Sequence, residues 1–131
     1  MNSFVAQLLV TGGVMGLFDF IWLKFVANSF YKSQIGQLLL EKPNMGAAVL
    51  FYIIYVVGIV AFVLSPALEK GSLAYAAGYG ALFGFVAYAT YDLTNLATIK
   101  GFTPKLVVVD LIWGTVLTAA VASIAYLILH R

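Results

Sequence analysis

Three aspartates stand where carboxylates are expensive. Asp19, Asp92 and Asp110 each fall inside an apolar, helix-length run of this 131-residue chain. Acids within lipid-spanning helices face a bundle interior, find partners there, and mark proton, ion or ligand sites. Asp92 has the most suggestive neighbours. It sits in "YATYDLTNLATIKG", residues 88–101, among Thr90, Thr94, Thr98 and Asn95. The chemistry this points to is a polar pocket within the membrane, in which protonation is coupled to movement of a substrate. The plain alternative is helix–helix hydrogen bonding and anchoring.

Helical spacing sorts the neighbours. Residues three and four apart share a face. Gly84, Tyr88, Asp92 and Asn95 form one stripe, Gly12, Gly16 and Asp19 a second, and Asp110, Gly114 and Leu117 a third. Asn95 is therefore the best donor to Asp92, while Thr94 and Thr98 lie on a neighbouring face. Threonine hydroxyls also bond the carbonyl four residues back, which would turn them away from the acid. Tyr88 and Tyr91 are positioned to orient a lipid or a protonated group. The pairs Gly12–Gly16 and Gly80–Gly84 read as close helix packing. Trp22 and Trp113 read as anchors at membrane depth. The motif "DFIW" at Asp19–Trp22 returns as "DLIW" at Asp110–Trp113, with Asp and Trp on one face each time.

Other chemistries find little support. There is no cysteine, and the single histidine, His130, is next to last. Thiolate chemistry, haem ligation and an internal histidine base are thus missing. Three carboxylates from three helices could hold a hard cation with waters, but no acidic cluster is close in sequence, and no metal site is assigned. No Walker, dinucleotide, HExxH or GxSxG element occurs, no mid-helix lysine suits a Schiff base, and no cofactor can be named.

The elements that carry these residues are helices in lipid. The chain is 63% hydrophobic and only 9% charged, against about 25% charged in soluble domains. Mean hydropathy is +1.03. Its net charge of +2 is too sparse for a nucleic-acid surface. Apolar runs at residues 4–27, 45–65, 73–97 and 105–129 are each long enough to cross a hydrocarbon core of about 30 Å. They do not alternate, as barrel strands of about ten residues would. The expected architecture is all-α: one domain over residues 1–131, four transmembrane helices in an antiparallel bundle. Asn2 or Ser3 is expected to cap the first helix. Residues 28–44 either extend that helix or lie along the interface, with Pro43 as a stop. Pro66 lies near the end of the second run, Gly101 is the expected cap after the third, and Pro104 opens the fourth. The first run lacks a basic leader and is expected to be retained rather than cleaved.

Charge sets an orientation. Lys24, Lys32, Lys42, Lys100 and Lys105 flank loops one and three, against Lys70 and Arg131 on the other side. The positive-inside rule then puts loops one and three in the cytoplasm and both termini outside. Asp19, Asp92 and Asp110 all belong toward the loop-one and loop-three end, and inverting the chain would preserve that agreement. Lys24 or Lys100 could snorkel near them.

"YDLTNLATIKG" followed by "DLIWGTVLT", with "GLFDFIWL" in the first span, resembles the DUF2177 type of predicted bacterial membrane proteins of unknown function. The matching residues are Asp19, Trp22, Tyr91, Asp92, Thr94, Asn95, Asp110, Trp113 and Gly114. The resemblance covers nearly the whole chain. It implies an integral protein of the bacterial inner membrane and supplies no reaction, substrate or cofactor.

The preferred functional expectation is binding or carriage of a small amphiphile or cation. Asp92 would be central, Asp19 and Asp110 would tune the charge, and Asn95 and Tyr88 would orient the ligand. Membrane lipids are the obligatory surroundings, and a carrier would be a homodimer. The rivals are a non-catalytic subunit or assembly factor of a membrane complex and a lipid-modifying enzyme.

Overall fold

A computed structural model describes residues 3–39 and 44–130. Asn2, Lys42, Pro43 and Arg131, invoked above for a cap, a helix stop and the loop charges, lie outside them. Four helices are long and apolar enough to span a membrane: α1 (Phe4–Leu38), α2 (Met45–Lys70), α3 (Leu73–Thr98) and α4 (Pro104–Leu129). Each is punctuated by the residue that its start requires. Ser3, Asn44, Ser72 and Thr103 each accept, through the side chain, the backbone N–H three residues on. That satisfies one orphan donor per helix, a contribution of about 1 kcal/mol each. α2 ends at Gly71 with φ +60°, and Gly101, at φ +89°, bends the α3–α4 turn just beyond the capping residue Ile99.

Two helices run further than their apolar stretches. α1 is 35 residues long, so residues 28–38 extend it rather than breaking away. Packing holds the extension. Ile35 is buried with Phe102, Leu106 and Val107 beneath the α3–α4 turn. The Thr103 hydroxyl, besides capping α4, donates to Gln34 Oε1 at 2.6 Å. α2 continues through Pro66 to Lys70. Just before that proline the helix widens into a π turn, Val60–Leu64, in which the Ser65 N–H reaches back five residues to the Val60 carbonyl. Such a turn is a common accommodation of proline's missing donor.

A second π turn, Leu23–Ala27, interrupts α1. It absorbs one extra residue and so resets the helical phase. Everything on α1 beyond Ala27 is rotated relative to Asp19 and Trp22.

α3 and α4 are the closest pair, and glycine makes them so. A Cβ on Gly84 would collide with the Gly114 carbonyl and with Thr118, one on Gly114 would enter the Tyr88 ring, and one on Gly80 would press on Thr118 and Ala119. Gly12 differs from the packing expectation. Space beside it is open, and its contribution is a carbonyl that accepts the Tyr52 hydroxyl. Gly16 lies beside that same hydroxyl, 3.0 Å from where its Cβ would be.

The main core joins all four helices at the end where α2 turns into α3. Met15, Ile59, Val60, Leu64, Leu117 and Val121 are fully enclosed there. Toward the opposite end α2 leaves its neighbours, and residues 44–51 are all exposed.

Candidate functional site

The polar residues gather at that looser end. From α4, Asp110 projects inward and is 7% exposed. It accepts the hydroxyl of Tyr31 from the α1 extension. The indole Nε1 of Trp22 donates to the same hydroxyl at 3.4 Å. The Trp22 and Trp113 rings stack face to face, 4.2 Å between centroids and 8° between planes. One assembly of two indoles, a phenol and a carboxyl thus ties α1 to α4.

The π turn is what lets Tyr31 join. Nine residues separate it from Trp22. In a regular helix, at about 100° per residue, that interval places the two on opposite faces. Absorbing one residue in the wide turn brings them to within about 80°.

Asp92 arrives from α3 and is 0% exposed. Its carboxyl lies close enough to that of Asp110 for direct electrostatic interaction. Among the described residues neither of its oxygens receives a hydrogen bond from an amide, hydroxyl or amine, and the Asp110 carboxyl, within hydrogen-bonding reach, is the polar group beside it. Asn95 therefore does not serve Asp92 as a donor, and its side chain lies by Tyr91 instead. The threonines take the local option. Thr90 donates to the Val86 carbonyl at 2.7 Å, Thr98 to the Thr94 carbonyl at 2.8 Å, and Thr94 to the Thr90 carbonyl. A buried carboxyl with no donor costs several kcal/mol, on the order of the penalty for any isolated buried charge. A proton, a water or a ligand must complete it.

Asp19 stays apart. It lies within electrostatic reach of Tyr52, Tyr55 and Tyr88 and is not drawn into a three-acid group with the other two, among the described residues. The repeated Asp–Trp motif thus has one shared outcome and one divergent one. Its tryptophans meet, whereas only Asp110 takes the Tyr31 hydroxyl. Lys24 lies over the Phe20 and Phe25 rings, 5.7 and 5.6 Å from their centroids.

Where α2 leaves α3, a cavity of about 350 Å³ opens. Its walls come from all four helices: Tyr31, Phe51, Ala87, Tyr88, Tyr91 and Asp110. None of these described lining residues is basic. Phe51 and Tyr91, 53% and 56% exposed, form its outer rim. The Tyr88 ring rests on Gly114, so a glycine of α4 sets the depth of the inner wall. The volume is within the range of about 300–1,000 Å³ usual for small-molecule sites.

Of the residues singled out in the sequence, Asp110, Tyr88 and Tyr91 line this cavity and Asp92 adjoins it through Asp110. Tyr31 and Phe51 were not singled out. Tyr31 was hidden by the π turn, and Phe51 was one phenylalanine among ten.

The sequence pattern of a family described as predicted membrane proteins, DUF2177, matches residues 4–127. The chain belongs to the DUF2177 family. With four spanning-length helices, this DUF2177 protein is a multi-pass membrane protein. No curated protein and no solved structure matches the chain.

Proposed function

We propose that this DUF2177 protein binds, and across the bacterial inner membrane carries, a small amphiphile or cation in the cavity between its helices. One observation supports the reading above the others. A carboxyl in the cavity wall, Asp110, is backed by a second carboxyl, Asp92, that is buried with no amide, hydroxyl or amine donor among the described residues. Packing alone does not favour that arrangement, because replacing unpaired buried charge with apolar groups is commonly neutral or stabilising. In this reading Asp110 meets the ligand's polar end, Asp92 supplies charge behind it, and Tyr88 and Tyr91 hold its apolar part. Asp19 and Asn95 act at one remove. Four helices leave little room for a path within one chain, so carriage requires a second copy. The loops between α1 and α2 and between α3 and α4 face the cytoplasm, and the termini face outward.

Native mass spectrometry of gently solubilised wild-type protein beside Asp92→Asn tests this directly. A defined small molecule retained by the wild type and lost from a folded Asp92→Asn protein is the expected result. Ligand-free masses in both would count against binding. A second reading, a subunit of a membrane complex, is favoured by the exposure of residues 44–51 on every face. It predicts a specific partner crosslinked to that stretch in native membranes.

A further inference from the structure

The cavity carries enough chemistry to narrow the ligand class, given the binding reading above. We propose that it receives the protonated primary amine of an alkyl chain, with the ammonium at Asp110 and the chain leaving over Phe51 and Tyr91.

Three independent features converge on this. The first is charge. Two carboxyls adjoin, and no lysine or arginine is among the described residues of the cavity wall, so the described site is complementary to a cation and repels an anion. The second is the wall itself. Tyr31, Phe51, Tyr88 and Tyr91 surround the space, and aromatic faces attract ammonium groups most strongly where water is excluded. The third is hydrogen bonding. Both oxygens of Asp92 are buried with no amide, hydroxyl or amine donor among the described residues. A primary ammonium has three N–H donors, whereas a quaternary one has none. Of these two cations only the primary ammonium can donate hydrogen bonds to Asp110 and toward the carboxyl beside it. A bare metal ion would need several hard oxygen ligands at once, and the wall here is chiefly aromatic.

The rim explains the tail. Phe51 and Tyr91 are exposed, and α2 is free of the bundle beside them, so an alkyl chain can leave sideways into lipid without opening the core. The phenols of Tyr88 and Tyr31 lie deeper, where a polar head would settle.

The test uses the full chain in phosphatidylcholine nanodiscs, titrated calorimetrically with decylammonium, decyltrimethylammonium and decanol, and with empty nanodiscs subtracted. Decylammonium is expected to bind at least about tenfold more tightly than either comparator, as charge-assisted hydrogen bonds to a desolvated carboxylate require. Asp92→Asn should abolish most of that preference. Near-ultraviolet circular dichroism of the Trp22–Trp113 stack, the chain's two tryptophans, reports that the variant is folded. Tyr91→Ala, at the exposed rim, should weaken all three ligands together.

Equal binding of decylammonium and decanol, both weakened by Tyr91→Ala, would overturn the amine assignment while leaving an amphiphile site in place. Equal binding of decylammonium and decyltrimethylammonium would overturn it too, by showing that N–H donors are not read. Saturable binding of none of the three would overturn both readings, leaving a carboxyl pair completed by a proton alone. Adding phosphatidylethanolamine to the nanodiscs identifies the source of the amine. Competition by that lipid names a headgroup, and unchanged decylammonium binding names a free amine.

Discussion

The two ends of this bundle are built from the same apolar alphabet and behave as opposites. At the end where α2 turns into α3, small residues let helices touch. Gly80 and Gly84 take Thr118 and Ala119 against their backbones, and Ala67, Ala76, Ala122 and Ala125 are fully buried. Most of its polar groups find partners, such as the Tyr55 and Thr118 hydroxyls at 2.8 Å and the Ser65 hydroxyl on Gln7 at 2.5 Å; the buried Thr11 hydroxyl has none among the described residues. At the other end α2 leaves, large rings take the place of alanines, and Asp92 is buried unsatisfied. Lipid supplies no hydrophobic force to close such a gap, because its tails are as apolar as leucine. Helices in a membrane stay together only where packing or hydrogen bonds hold them, and here those run out midway along α2. The closed end fixes the frame, and the open end is left available to a ligand.

Substitutions can break this contrast, and the largest effect belongs to the closed end. Gly84→Ala drives a methyl into the Gly114 carbonyl and Thr118. A helix backbone cannot yield as a side-chain tip can, so α3 and α4 must separate. The expected cost is about 3 kcal/mol, the upper part of the overpacking range. It would be read as a sharply lower unfolding midpoint in detergent by fluorescence-detected size exclusion. An unchanged midpoint would mean that the two helices are not in contact there.

At the open end the sign reverses. Asp92→Val removes a buried carboxyl that has no amide, hydroxyl or amine donor among the described residues. It is expected to raise stability by about 1–2 kcal/mol while abolishing retention of any bound small molecule. This is the trade expected where a site is held against the preference of the fold. Loss of stability on this substitution would mean that Asp92 is satisfied in the resting protein.

The smallest effect sharpens the comparison, because it changes the same residue type in open space. Gly12→Ala meets nothing within 4 Å and leaves the carbonyl that accepts Tyr52 in place. Alanine's better helix propensity should then add about 0.5 kcal/mol. The same unfolding assay should place it at or slightly above wild type, opposite to Gly84→Ala.

Much of this was legible in the chain. Hydropathy alone locates the four spans, because a lipid-crossing backbone must satisfy its own hydrogen bonds and needs about 20 apolar residues to do so. Ser3 and Pro104 mark helix starts by their local chemistry, as expected, and the tryptophans of the two Asp–Trp motifs meet. The stripes through Tyr88 and Asp92 and through Asp110 and Gly114 do face inward. What the spacing could not carry was phase across an irregular turn. Tyr31 faces away from Trp22 in any regular helix and meets it only because of the Leu23–Ala27 widening. The donor expected for Asp92 failed for a related reason. Asn95 shares its stripe but not its neighbours, and the threonines had nearer carbonyls to bond.

The amino-acid chain alone was enough to set the medium and the number of spanning-length helices, since those follow from transfer energies and local backbone chemistry. The tertiary structure alone decided that Asp92 and Asp110 meet while Asp19 stands aside, and that a cavity opens beside them. Those outcomes depend on how far each helix is rotated and where glycines let it approach its neighbour, and rotation accumulates over a whole span through every irregular turn along it.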